Sequence, residues 1–173
     1  GRATSPLRST GSRCYVQPIV NRDPRRQVVL VRCGRRTCAL AVQDVVETLR
    51  PLPVSPLVGT APFVAGAAVI RGEPVPVVDL AVFLGDAAPA PPGRFVVVRC
   101  GARRAALAVE AVLGLSELAR DAEGIAPLLG CAAAGAVEAL SASDRELLLV
   151  LRAARVVPDA AWCALDAAPE RRP

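Results

Sequence analysis

The chain has 173 residues, 53% of them hydrophobic but only 3% aromatic, and a net charge of +5. That is enough for one ordinary domain, or for two very small ones sharing a core filled by Val, Leu and Ala. The sequence contains no His and no Lys, which excludes His-paired nucleophiles, His-ligated metals, a phosphoacceptor histidine, Schiff-base chemistry and a P-loop lysine. The carboxylates are scattered, with no clustered pair for acid/base work. No catalytic residue, metal ligand or cofactor site is therefore expected, and the function is sought in binding surfaces.

Taken from the N-terminus, residues 1–26 carry Arg2, Arg8, Arg13, Arg22, Arg25 and Arg26 against Asp23 alone, so the whole net charge of +5 sits there. Ser, Thr, Gly and Pro are mixed in and nothing repeats. That argues for a solvated, flexible leader rather than a nucleic-acid-binding arm. An apolar h-region of the signal-peptide kind is absent. The longest apolar stretch, residues 125–137, is broken by Pro127, Gly130 and Gly135 and falls short of the ~18–20 residues of a membrane span. Six cysteines lie at scattered spacings without a C-x-x-C, and are expected reduced and mostly buried in a cytoplasmic protein.

Residues 28–45 and 95–112 match at an offset of 67, the separation of Cys33 and Cys100. Each copy reads as strand, Gly-Arg turn, strand, followed by another apolar run. Two copies suggest two similar subdomains packed together, since solenoids need at least three repeats. Many short strands with regular turn signals point to small antiparallel barrels. The most specified segment is residues 66–80. Apolar runs at 67–70 and 75–78 flank the corner Arg71-Gly72-Glu73-Pro74, the pattern of a hairpin. Asp79 can then cap a helical turn over 80–84, closed by Gly85. The expected organisation is a leader over 1–26, a first subdomain over 27–85, a loop at 86–93, and a second subdomain over 94–157. A C-terminal helix over 158–165, anchored by Trp162, precedes a frayed end at 166–173.

Three of these segments resemble the CheW family of chemotaxis adaptors. Residues 38–47 are similar to its "YALPVE-x-V-x-E" run. Residues 61–80 are similar to "P-x-F-I-x-G-V-x-N-L-R-G-x-V-x-P-V-V-D-L", the most specific of the three. Residues 107–112 are similar to "LxVDxV". The resemblance covers residues 27–165. It departs at Val69, Ile70, Glu110 and Arg152, where the family more often has Asn, Leu, Asp and Asp. It implies a mainly β fold of two SH3-like five-stranded β-barrels with a hydrophobic groove between them. It further implies an adaptor that couples the cytoplasmic tips of methyl-accepting chemoreceptors to a CheA-type histidine kinase. Such a protein is cytoplasmic, recruited to receptor arrays, binds no nucleic acid and does not insert into the membrane. The alternatives are a diverged adaptor of a motility or related pathway that keeps receptor but not kinase contact, and a regulatory domain excised from a kinase.

Carried onto this sequence, the resemblance places receptor contacts at Val45, Glu47 and Val112. It gives a kinase or receptor assembly role to Arg71, with Gly66 and Gly72 shaping the backbone around it. Glu47 is expected exposed, on the far side of its strand from Val46.

Overall fold

The computed structural model describes residues 26–87, 90–118, 135–143 and 146–168. The leader at 1–25 and the last residues, 169–173, lie outside them. The described residues form ten strands: β1 (Arg26–Cys33), β2 (Arg36–Ala41), β3 (Val45–Leu49), β4 (Val64–Ile70), β5 (Glu73–Asp79), β6 (Arg94–Cys100), β7 (Arg103–Val109), β8 (Ala111–Leu118), β9 (Val137–Ser143) and β10 (Glu146–Leu151). Helix α1 (Leu80–Phe83) follows β5, and α2 (Asp159–Ala167) closes the described chain.

The strands form two five-stranded sheets, in the orders β8-β1-β2-β10-β9 and β3-β6-β7-β5-β4. This corrects the expected subdomain boundaries. Neither sheet is a consecutive half of the chain: the β1/β2 hairpin of the first half sits among β8, β9 and β10 of the second. In exchange, β3, β4 and β5 sit around the β6/β7 hairpin. The cause is local. Only the single 3-10 turn Val42–Asp44 separates β2 from β3, and it leads straight into extended backbone at Val45 instead of a hairpin turn, so β3 continues into the other sheet. After β7, Glu110 alone intervenes before β8, and its N–H donates to the Arg32 carbonyl at 2.9 Å.

The exchange is symmetric to the residue. Val45 lies opposite Val98, and Val112 lies opposite Val31, its equivalent at the 67-residue offset. Both contacts carry a bulge one residue on, at Val46 and Leu113. The N–H of Asp79 donates to the carbonyl of Phe63 at 2.8 Å, and that of Arg152 to Ala136 at 2.7 Å. Each sheet also contains one parallel pair, β5 with β7 and β10 with β2, where purely antiparallel barrels were expected. Parallel strands need a long crossover rather than a hairpin, and the exchanged connections supply it.

Three apolar cores hold this arrangement. The largest lies between the sheets and joins Val31, Leu40 and Leu151 of one to Val78, Val96 and Leu107 of the other. Inside the second sheet are Phe95, Val97, Ile70, Val75 and Ala106. A smaller cluster of Val28, Ala39, Leu148 and Val150 fills the first. Strands buried on both faces explain the unbroken apolar runs of β6 and β7. The space between the barrels is thus largely packed core rather than an open groove. Cys33 and Cys38 belong to it, both buried and both free thiols. Cys38 hydrogen-bonds Cys33, and together with burial this pushes the Cys33 thiol well above the ordinary cysteine range. Burial likewise pushes Cys100 up to about 11. Cys33 and Cys100 are therefore protonated packing groups at neutral pH.

Helix α1 forms as its sequence requires. The Asp79 carboxylate accepts from the N–H groups of Ala81 and Val82 at 3.0 and 3.1 Å, while Leu80 and Phe83 point into the shared core. Helix α2 runs two residues further than expected. It is clamped by Arg103, which makes a two-pronged ion pair with Asp166 (2.9 and 3.3 Å) and lies 5.3 Å over the Trp162 ring. Trp162 is therefore a packing anchor.

Candidate functional site

The second sheet ends in two edge strands, β3 and β4, and the candidate site bridges them. Strands β4 and β5 are joined by the two-residue turn of Arg71 and Gly72, with φ of 55° and 82°. Positive φ at both central positions is the hairpin geometry whose twist matches the strands. Gly72 adopts it freely, but Arg71 is the one non-glycine residue at positive φ among the described residues. A side chain held in that region needs support from its surroundings. Glu47 supplies it. The Arg71 Nε donates to Glu47 Oε1 at 3.3 Å and Nη2 donates to Oε2 at 2.8 Å. A planar guanidinium fork matching a carboxylate fixes orientation as well as distance.

Glu47 can reach this position because of the bulge at Val46. The extra residue resets the strand's alternation, so Glu47 lies opposite Val97 on the face that covers the second core. The expectation of an exposed Glu47 is corrected accordingly: its side chain is 22% exposed, against 71% for Arg71. The Arg71 hydrogen bonds, and the more distant charge of Arg104, hold the Glu47 carboxyl below its ordinary value. Two of the five guanidinium N–H donors are engaged by Glu47. The rest of Arg71 faces solvent.

Gly66 has a different role from Gly72. Its φ is 142°, and a Cβ there would fall 2.1 Å from the Ser55 carbonyl oxygen. Ser55 and Ala67 exchange backbone hydrogen bonds at 2.8 Å each way, so the segment after β3 lies along the outer edge of β4. Only a residue without a side chain permits that approach. Nothing lies within 4 Å of a Cβ at Gly72, whose requirement is conformational alone.

The structure therefore brings together Glu47, Arg71 and Gly72, 24 residues apart in sequence between the charged pair, while Gly66 lies further down β4 against Ser55. Val45 and Val112 are half-buried against the shared core, on β3 and β8 respectively. They are equivalent positions on different sheets, so Val112 does not share the strand environment of Glu47. Sequence reading missed that Glu47 and Arg71 are partners, and it passed over Arg104. Nothing in local spacing pairs β3 with the β4/β5 turn; only the strand exchange does. The one available signal was the 67-residue repeat, which puts Gly114 where the first copy has Glu47.

Two exchanged SH3-like sheets thus meet at a packed seam, and an ion pair marks the end of the second sheet. The profile of the CheW-like domain matches residues 27–161, and the chain belongs to that family. A relative named Protein FrzA, from Myxococcus xanthus, is 33% identical over 97 residues, or 55% of this chain and 61% of that protein. The chain thus spans rather less than two thirds of that relative's length. The crystal structure of the scaffolding protein TtCheW from Thermoanaerobacter tengcongensis superposes with a TM-score of 0.67 at 19% identity, covering 76% of this chain and 92% of the other. That likeness concerns the fold: mainly β, with the same two-sheet design. CheW-like domains are adaptor and scaffold modules of chemotaxis-type signalling. No helix among the described residues is long and apolar enough to cross a membrane.

Proposed function

We propose that the chain is an adaptor that couples the cytoplasmic tips of chemoreceptors to a CheA-type histidine kinase, working in the cytoplasm at membrane-associated receptor arrays. The observation that carries this reading is the Glu47 and Arg71 pair. An arginine in a strained turn, oriented by a carboxylate and still 71% exposed, is costly for a fold to maintain and well suited to present guanidinium donors to a partner. Glu47 is the positioning group and Arg71 the contact. Gly72 permits the turn, and Gly66 lets the segment after β3 lie along β4. Val45 and Val112, at the margins of the seam, are the apolar positions proposed for the receptor tip, in the manner of an amphipathic helix laid against a groove.

Arg71→Glu replaces an attractive pair by two facing carboxylates. It is expected to weaken binding to kinase or receptor fragments at least tenfold, while the thermal melt moves little because the site is on the surface. Pull-down with each fragment separately, beside the melt, tests this. Loss with both fragments supports coupling, loss with one assigns the surface to that partner, and undiminished binding to both overturns the role of Arg71.

A further inference from the structure

Strand register places Arg99 of β6 directly opposite Arg104 of β7. Both are exposed. Arg99 continues the face of Phe95 and Val97, and Arg104 that of Ala106 and Ala108, all of which line the second core. By the period-2 pleat the two guanidinium groups therefore emerge on the same side, at the end of that sheet. Glu47 lies on this face too, opposite Val97, and Arg104 is near enough to help hold its carboxyl ionised. Glu73 begins β5 on the face of Val75 and Val77. The end of the sheet thus carries Arg71, Arg99 and Arg104 against Glu47 and Glu73. Glu47 is already occupied by Arg71, and Arg99 makes no hydrogen bond or ion pair among the described residues.

Like charges held opposite each other across a ladder destabilise it. The other sheet avoids this: the equivalent cross-strand pair is Arg32 opposite Thr37. The repulsion is present in one sheet of two whose strand registers match. A carboxylate seated between Arg99 and Arg104 would relieve it and take charge-assisted hydrogen bonds from both.

We infer that Arg99 and Arg104 form a clamp for an acidic side chain of a partner protein, beside the pair of Glu47 and Arg71. The inference rests on the adaptor reading for the partner's identity but not for its chemistry. An isolated carboxylate fits better than a nucleic-acid backbone or an anionic bilayer. Two arginines flanked by Glu47 and Glu73 make a small positive spot, not a stripe that could follow successive phosphates.

The sister strand supplies the test variant, Arg104→Thr. The 173-residue chain is titrated with an acetylated tetraglutamate peptide while the arginine Nε–H resonances are followed by NMR. Parallel titrations use a duplex oligonucleotide and phosphatidylserine vesicles. The peptide should move the Arg99 and Arg104 resonances, and Arg104→Thr should weaken that response about tenfold. The melting temperature of the free protein should stay level or rise, because a repulsion is removed; a merely structural arginine would give a fall. Resonances unmoved by the peptide, tighter binding of the oligonucleotide or vesicles, or a lowered melt with unchanged peptide response would each overturn the clamp. Failure of the adaptor reading looks different: kinase and receptor fragments would not bind the native chain, while the peptide response persisted.

Discussion

The two sheets are built from the same repeat and paired in the same registers, yet their ends differ. Where the β3-bearing sheet has Glu47, the β8-bearing sheet has Gly114; where it has Arg104, the other has Thr37. Bulges, parallel pairs and cross-sheet contacts are shared, because they serve the fold. The charges of Glu47 and Arg104 are not shared, although Arg99 keeps its counterpart in Arg32. A duplicated scaffold keeps its packing under the constraint of one common core, while surface positions on each copy are free to diverge. The asymmetry therefore separates the positions that hold the molecule together from those the two copies do not share.

The strongest way to break the symmetric half of this comparison is to cut the chain at the 86–93 connection. Since each sheet needs strands from both halves, fragments 26–87 and 90–168 should each lack a cooperative unfolding transition alone and regain one on mixing, read by far-UV circular dichroism. A fragment that folds alone would refute the exchange. Next in size is the matched pair Leu40→Ala and Leu107→Ala. Both residues are fully buried in the shared core at equivalent positions, so each should cost about 2–5 kcal/mol, and by similar amounts, in denaturant unfolding. A large inequality would mean that the two sheets do not share that core evenly.

Smaller effects sharpen the asymmetric half. Gly66→Ala drives a Cβ into the Ser55 carbonyl and adds backbone strain, for about 2 kcal/mol or more. Gly72→Ala meets open space and should cost only the roughly 1–2 kcal/mol of a left-handed alanine. The reverse order would show that the segment after β3 is not braced on β4. The least effect on stability is expected from pH. The Glu47 carboxyl is held below its ordinary 4.5 by Arg71, so whatever the pair contributes is complete above pH 4.5 and is lost as pH falls through the lowered folded value. An NMR titration of Glu47 should show that lowered value, returning toward 4.5 in Arg71→Ala; an unchanged value in the variant would contradict the pairing.

Much of this was legible beforehand. Apolar alternation and turn residues gave the hairpins, Asp79 and Gly85 gave α1, and the repeat gave two matched units though not how their strands are shared out. What the sequence concealed was which strands meet. Periodicity reports the face a residue occupies but not the strand beside it, so residues 27–85 read as one barrel although β1 and β3 lie in different sheets. The same blindness separated Glu47 from Arg71. The bulge at Val46 was equally hidden, because an extra residue in a strand leaves the composition unchanged while reversing which side chains face inward, and so Glu47 read as exposed. The repeat itself held one further clue, the replacement of Thr37 by Arg104, whose meaning appears only when cross-strand register is known.

The central claim is that Arg71 contacts the partner and Glu47 only aims it. Exchanging the two, Glu47→Arg with Arg71→Glu, keeps an ion pair across the same edges. Calorimetric titration of the native chain, Arg71→Glu and the exchanged double variant against a kinase regulatory fragment and a receptor tip fragment separates the roles. The expected result is a double variant that melts like the native chain but binds as weakly as Arg71→Glu. Native affinity in the double variant would make the pair a structural brace and contradict the claim.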